Sequence, residues 1–234
     1  MYSIIDKARE YSKQRNVVIL ATLDSDWSKF DLTKSELDFV SSKLSKGENS
    51  IYINQYSRSV FIEFLKEEFN ESVCFEKARE IGAVLVKKIN KAKLDEVEII
   101  DISDRDFSIY VAEGMALANY QFLKYFSEKE IKRNTLKVIY LHADSSLISH
   151  VNAVVSGTLY ARDLVNEPLS YLTAIQFSNE MLSLGKASGF KVEVLHKNQI
   201  QSLKMGGLLA VNKGALEPPT FNILTYRPEN YINS

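Results

Sequence analysis

Residues 16–22 (NVVILAT) form an unbroken apolar run rich in β-branched side chains, with no polar alternation. A strand without a polar face has to be buried on both sides, so the sheet that holds it must be covered front and back. The rest of the first half supplies the cover. After Asp24, Ser25 and Asp26, a polar connection, Thr33 and Glu36 stand at capping-box spacing. Leu37, Val40 and Leu44 continue that helix to Gly47. Residues 50–55 and 58–65 are β-rich and nearly contiguous, which predicts an antiparallel hairpin. Ser72 is placed to cap the next helix, on which Cys74, Ala78, Ile81, Leu85 and Ile89 make one stripe. Lys87, Lys88, Lys91 and Lys93 cluster at its end, where cations offset the helix dipole, and read as a solvated terminus.

Residues 97–101 predict another strand. Phe107, Val111, Met115, Ala118, Phe122 and Phe126 then repeat at helical spacing, a core stripe, with Gly114, Ala116 and Ala118 small enough for close packing against a sheet. Residues 136–142 (LKVIYLH) are the last strand of this unit. Strands alternating with helices predict a three-layer α/β domain with a mixed sheet over residues 1–143. From Asp144 the pattern becomes one long helix over 144–166, with Leu147, Val151, Val154, Thr158 and Arg162 on one side. Pro168 removes a backbone donor and stops it. A second unit opens over 167–234. Thr173 caps a helix carrying Phe177, Met181 and Leu184 and closed by Gly189. Residues 190–195 alternate as a strand, Ile200 and Leu203 make a short helical turn, and residues 208–211 and 221–226 predict two further strands.

Bulk properties narrow the functional classes. A net charge of −1 offers no positive field for a polyanion, so nucleic acid is an unexpected partner. Cys74 is the single cysteine, which excludes an intramolecular disulfide and suits a reducing compartment. Residues 1–16 lack the apolar core of a signal peptide, and no apolar run approaches the roughly 20 residues that span a bilayer. A soluble cytoplasmic protein is expected.

Few residues compete for a chemical role. His142, His150 and His196 lie on separate elements without ligand spacing. Asp101, Asp104 and Asp106 alternate like half a calcium loop but lack its glycine and terminal glutamate, and read as a turn with a helix cap. Cys74 is a small core residue. Arg162 and Asp163 point to different sides of their helix and are expected to pair across the domain junction. Asn166 and Glu167 are expected to satisfy free helix-end carbonyls, the alternative being that they line the entrance to a downstream site. Gly206-Gly207 lacks a phosphate-loop pattern.

Three ordered blocks carry a resemblance. The run ARDLVNEP at 161–168 with Leu172-Thr173, the run KMGGLLAVNKGALEPPTFNILTYRP at 204–228, and EGMALANYQF at 113–122 resemble the leucine aminopeptidase (cytosol aminopeptidase) family of metallopeptidases. Ala215 stands where that family usually has serine, and the first hundred residues match in architecture alone. The resemblance implies a macro-like N-terminal α/β domain, a linker helix, and a catalytic domain, assembled as a hexamer. It also implies removal of N-terminal amino acids from peptides at a site with two divalent metals, zinc or manganese. Such a pair lowers the pKa of a bridging water and polarises the scissile carbonyl.

The family's ligands are a lysine in a VGKG-type strand, several aspartates and a glutamate, all beyond the EPP strand. None maps onto this sequence. The expectation is therefore an N-terminal piece with no catalytic, metal or cofactor-binding residue of its own, inactive alone. The alternative is a non-catalytic binding or oligomerisation module.

Overall fold

A computed structural model of the chain describes residues 2–27, 30–65, 70–103, 105–129 and 131–228. The chain divides into two compact units, Met1–Arg162 and Asp163–Ser234. The helix expected over 144–166 thus lies for most of its length in the first unit.

The first unit is built on strands β1 (Ile4–Lys7), β2 (Val17–Ala21), β3 (Ser50–Asn54), β4 (Ser59–Phe64), β5 (Glu96–Asp101) and β6 (Val138–Leu141), in spatial order β1-β6-β5-β2-β4-β3. Neighbours run parallel except β3 and β4, the antiparallel hairpin. Every residue of β2 is buried, and its side chains divide between two cores. Val18 and Leu20 join one core, Val17, Ile19 and Ala21 the other. Helices α2 (Glu71–Lys91), α3 (Ser108–Ala118) and α4 (Ser145–Asn166) supply Leu85, Met115 and Val155 to the first. Helix α1 (Lys34–Ser45) supplies Val40 to the second, beside Phe30 and Trp27. The fold is a mixed α/β arrangement with a largely parallel sheet.

The caps explain where the helices begin. On α1, the Glu36 amide donates to Thr33 Oγ1 and the Thr33 amide to Glu36 Oε2 at 2.7 Å. Burial would raise the Glu36 carboxyl, but the donors from Thr33 and Gln55 together hold it below the usual range. Helix α2 is capped by Asn70, not Ser72: Asn70 is extended and its Oδ1 accepts from the Ser72 and Val73 amides. Ser72 falls inside the first turn, two positions too late to cap.

Helix α3 ends at Ala118, short of the apolar repeat through Phe122 and Phe126. The buried Asn119 draws the chain out of the helix. Its Nδ2 donates to Ser3 Oγ at 2.6 Å and to the Leu136 carbonyl at 2.9 Å, and its Oδ1 accepts from Asn90. These bonds tie β1, α2 and β6 together at one buried amide. Strand β1, not evident in the sequence, is held from its outer side by Asn152 of α4. That side chain accepts from the Ile5 amide and donates to the Ile5 carbonyl, which covers an edge that would otherwise be free.

In the second unit, Thr173 caps α5 (Ala174–Ser188), and Gly189 closes it in the left-handed region at φ 77°. Strand β7 (Lys191–His196) pairs antiparallel with β8 (Thr220–Thr225). Between them lie α6 (Lys197–Ser202), α7 (Gly206–Val211) and a 3-10 turn (Asn212–Gly214). Residues 208–211 are therefore helical, contrary to the strand expected from their apolar run. A four-residue run does not distinguish the two states, and hydrogen bonding from Leu209 N to the Met205 carbonyl decides it.

Gly114 packs against α2 rather than against the sheet. A Cβ there would overlap the backbone of Arg79, and one at Gly82 would overlap the Val111 carbonyl. Gly114→Ala is expected to lower the unfolding free energy by about 1–3 kcal/mol through overpacking. Gly157→Ala, inside α4 with no neighbour at that position, is expected to raise it by about 0.5–1 kcal/mol. Urea denaturation of the two variants reads both signs.

Candidate functional site

A concentration of charged and polar groups in the first unit surrounds Glu98. This residue of β5 is completely buried, on the sheet face opposite α2 and α3. His142 Nε2 lies 2.7 Å from its Oε1, while Arg15 Nη1 donates to its Oε2 at 3.1 Å and the Ser12 amide donates at 3.3 Å. The Arg15 guanidinium also lies 3.9 Å from the centre of the Tyr140 ring. Tyr140 and His142 alternate with Leu141, which points into the helix-covered core, so all three polar partners meet on one face. Where helix cover is absent, an arginine and a loop seal the sheet.

The Glu98–His142 pair is the geometry of an oriented imidazole. Acid–base catalysis through a nucleophile would need a hydroxyl or thiol on the other ring nitrogen. None is hydrogen-bonded to His142 among the described residues. The arrangement therefore anchors the segment from Ala8 to Asn16 against β5 and β6. Its one faint mark in the sequence is a carboxylate between the apolar Val97 and Ile99.

A crevice of about 760 Å³ opens at the carboxyl ends of β1 and β6, the usual position for ligands on parallel sheets. Lys7, Arg9, Arg105, Asp106, His142 and Asp144 are among its walls, cations and carboxylates in near balance. Asp101 stands close by in sequence but points elsewhere. Its Oδ2 accepts from the Phe107 and Ser108 amides and its Oδ1 from Ser103, so it caps α3. Asp104, the middle of the alternate carboxylates, lies outside the described residues.

The remaining candidates are dispersed. His150 is exposed on α4, and His196 opens α6, its amide donating to Gln199 Oε1. Cys74 is buried in the core and forms no disulfide, being the single cysteine of the sequence. Arg162 donates to the Leu117 carbonyl at 2.6 Å and lies over the Tyr120 ring, both within its own unit. That corrects the expectation that it pairs across the junction: a guanidinium at the last turn of the first unit finds a free helix-end carbonyl first. Asn166 ends α4, and the Glu167 amide donates to the Asp163 carbonyl. Gly206 and Gly207 begin α7. Among the described residues, no three His, Cys, Asp or Glu side chains are grouped so as to hold a metal.

In the second unit, Ser178 Oγ lies 2.9 Å from Thr220 Oγ1, and both hydroxyls reach the Ala174 carbonyl. This cluster fixes the start of β8, just after Pro218-Pro219, to the first turn of α5.

Residues 159–234 match the model of the cytosol aminopeptidase family, catalytic domain. A protein of Chloroherpeton thalassium described as "Probable cytosol aminopeptidase" is 35% identical over 181 residues, covering 64% of this chain and 35% of that protein. A Sulfurihydrogenibium protein of the same description is 32% identical over 164 residues, covering 65% and 32%. In Chlorobaculum parvum a 69-residue stretch reaches 54% identity, covering 30% and 14%. In fold, the chain is similar to a tomato leucine aminopeptidase mutant at TM-score 0.78 and 19% identity, over 98% of this chain and 52% of that one. It is also similar to a bottromycin maturation enzyme solved in complex with Mn, at TM-score 0.70 and 20% identity, over 93% and 46%.

The comparisons support assignment to the cytosol aminopeptidase family, and the family-model match is carried by residues 159–234. The chain spans about a third of the length of the curated relatives it matches.

Glu98→Ala strips Arg15 and His142 of their shared acceptor and is expected to cost about 3 kcal/mol of stability. Asp101→Ala, the loss of a cap, is expected to cost about 1 kcal/mol. Chemical denaturation of the two variants tests the ranking.

Proposed function

We propose that this chain is the scaffold portion of a cytoplasmic aminopeptidase that removes N-terminal amino acids from peptides. The observation that carries this reading is the match of residues 159–234 to the family's catalytic domain. That stretch takes in the end of α4, the cap at Thr173, α7, and the Pro218-Pro219 entry to β8. Each of these sets backbone direction: Pro168 forbids the helix to continue, and the two prolines deliver the chain extended into β8.

By resemblance, the metals, zinc or manganese, would be held by ligands beyond the EPP motif. The described residues of this chain do not fit them, because no group of three potential ligand side chains converges. No catalytic step is assigned to this chain, and it is proposed to be inactive alone. The apolar side chains of β8 support a scaffold role. Phe221, Ile223 and Leu224 are each more than a third exposed, an unusual state for a strand that would lie inside a catalytic sheet. Assembly as a homo-oligomer, a hexamer by resemblance, belongs to the same proposal. Among the described residues no helix is long and apolar enough to cross a membrane.

The test is a fusion of this chain to the part of the Chloroherpeton relative that follows the matched region. With manganese or zinc, the fusion is expected to hydrolyse leucine p-nitroanilide, and the chain alone is expected not to. Hydrolysis by the purified chain alone, free of contaminating peptidase, overturns the reading.

A further inference from the structure

Helix cover on the α2 face of the sheet thins out toward β3. Ser50, Tyr52 and Asn54 of this edge strand are exposed, and Tyr52 rests against Phe61 with ring centres 5.0 Å apart. Between α2 and the paired ends of β3 and β4 runs a groove of about 420 Å³. Small-molecule sites typically fall at about 300–1,000 Å³, with mostly apolar walls and a few convergent polar groups. This groove has both. Leu65, Ala78, Ile81, Val84 and Phe107 line it, Val84 being half exposed.

The polar end is made by Glu63, Ser50 and Lys88. Glu63 is only 7% exposed. Ser50 donates its hydroxyl to Glu63 Oε1 at 2.5 Å, and Lys88 Nζ bonds Ser50 Oγ and lies 3.5 Å from the same Oε1. Every polar contact to the carboxyl therefore falls on one oxygen. Glu63 Oε2 receives none among the described residues. Burial pushes the Glu63 carboxyl up, and the Ser50 bond and Lys88 reverse this only in part. A carboxylate here is short of one cationic donor, while an ammonium carries three donors and Lys88 uses two.

We propose that this groove binds a free apolar α-amino acid. The ligand's ammonium would bond Glu63 Oε2, its carboxylate Lys88 Nζ, and its side chain would lie along Ala78, Ile81 and Val84. A simple fatty acid would meet the Glu63 charge with nothing to offer it, and a simple amine would leave Lys88 unanswered. Only a ligand with both charges next to an apolar body answers each. Lys77 and Glu80 on the same helix also line the groove, which keeps its net charge balanced. On the aminopeptidase reading this ligand is the class of product released, so the groove would sense product. That last step rests on the reading; binding does not.

Isothermal titration of the chain with L-leucine, N-acetyl-L-leucine and L-leucinamide tests it. L-Leucine is expected to bind, and loss of either charged group is expected to weaken binding about tenfold or more, the worth of a charge-assisted hydrogen bond. Binding of L-leucine is expected to tighten as pH rises through the Glu63 titration, because the ammonium requires the ionised carboxylate. Glu63→Gln should weaken L-leucine about tenfold. Val84→Trp should abolish binding by filling the groove while leaving the Glu63 bonds in place. Circular dichroism confirms the fold of both variants, and the ligand series needs no variant at all. No heat with millimolar L-leucine, or equal affinity for N-acetyl-L-leucine, overturns the proposal. A failed fusion assay with intact leucine binding would count against the peptidase reading alone.

Discussion

Burial of β2 on both faces is the constraint from which the first unit follows. Side chains alternating along one strand go to two separate cores, and each core needs its own cover. On one face α2, α3 and α4 provide it, and α2 crosses α3 closely enough that Gly82 and Gly114 admit no side chain. The opposite face has α1 over the hairpin side, with Trp27 and Phe30 filling in. Over β5 and β6 the cover is polar. There Arg15 closes on Tyr140, and Glu98 gathers Arg15, His142 and the Ser12 amide. A carboxylate with no exposure is tolerable in that place because both oxygens are answered.

Elements whose identity is local were legible in the sequence. The capping box of α1, the left-handed close of α5 at Gly189, the hairpin and the central strand all depend on residues a few positions apart. Elements decided by distant partners were not. Strand β1 is four residues long and exists because β6 pairs with it on one side and Asn152 satisfies Ile5 on the other. The end of α3 is set by Asn119 reaching Ser3, 116 positions away, a bond that no periodicity announces. Helix α7 shows the same lesson in reverse, since its apolar run carried no information about which state it would take.

The candidate site was legible only as a family likeness, for a physical reason. The matched residues steer the backbone through proline stops, a threonine cap and a hydroxyl cluster at the start of β8. Such positions leave strong marks in sequence because only a few residue types satisfy them. Glu98 leaves almost none: a single acidic residue in a strand resembles a solvent-facing position until the fold shows what lies over it.

The two buried glutamates of the sheet separate structural charge from charge available for binding. Both sit in strands, both are nearly or wholly enclosed, and both have a cationic partner. Glu98 spends its two oxygens on three donors, Ser12 and Arg15 from one segment and His142 just after β6, which locks both to β5. Glu63 collects its donors on one oxygen, at the wall of an apolar groove, with the other left toward it. A fold that needed Glu63 only to tie β3 to α2 would be served as well by a neutral hydrogen-bonding side chain, without the cost of desolvating a carboxylate. Retaining the charge where a second oxygen stays open is what a recognition site for an ammonium requires and what a structural tie does not.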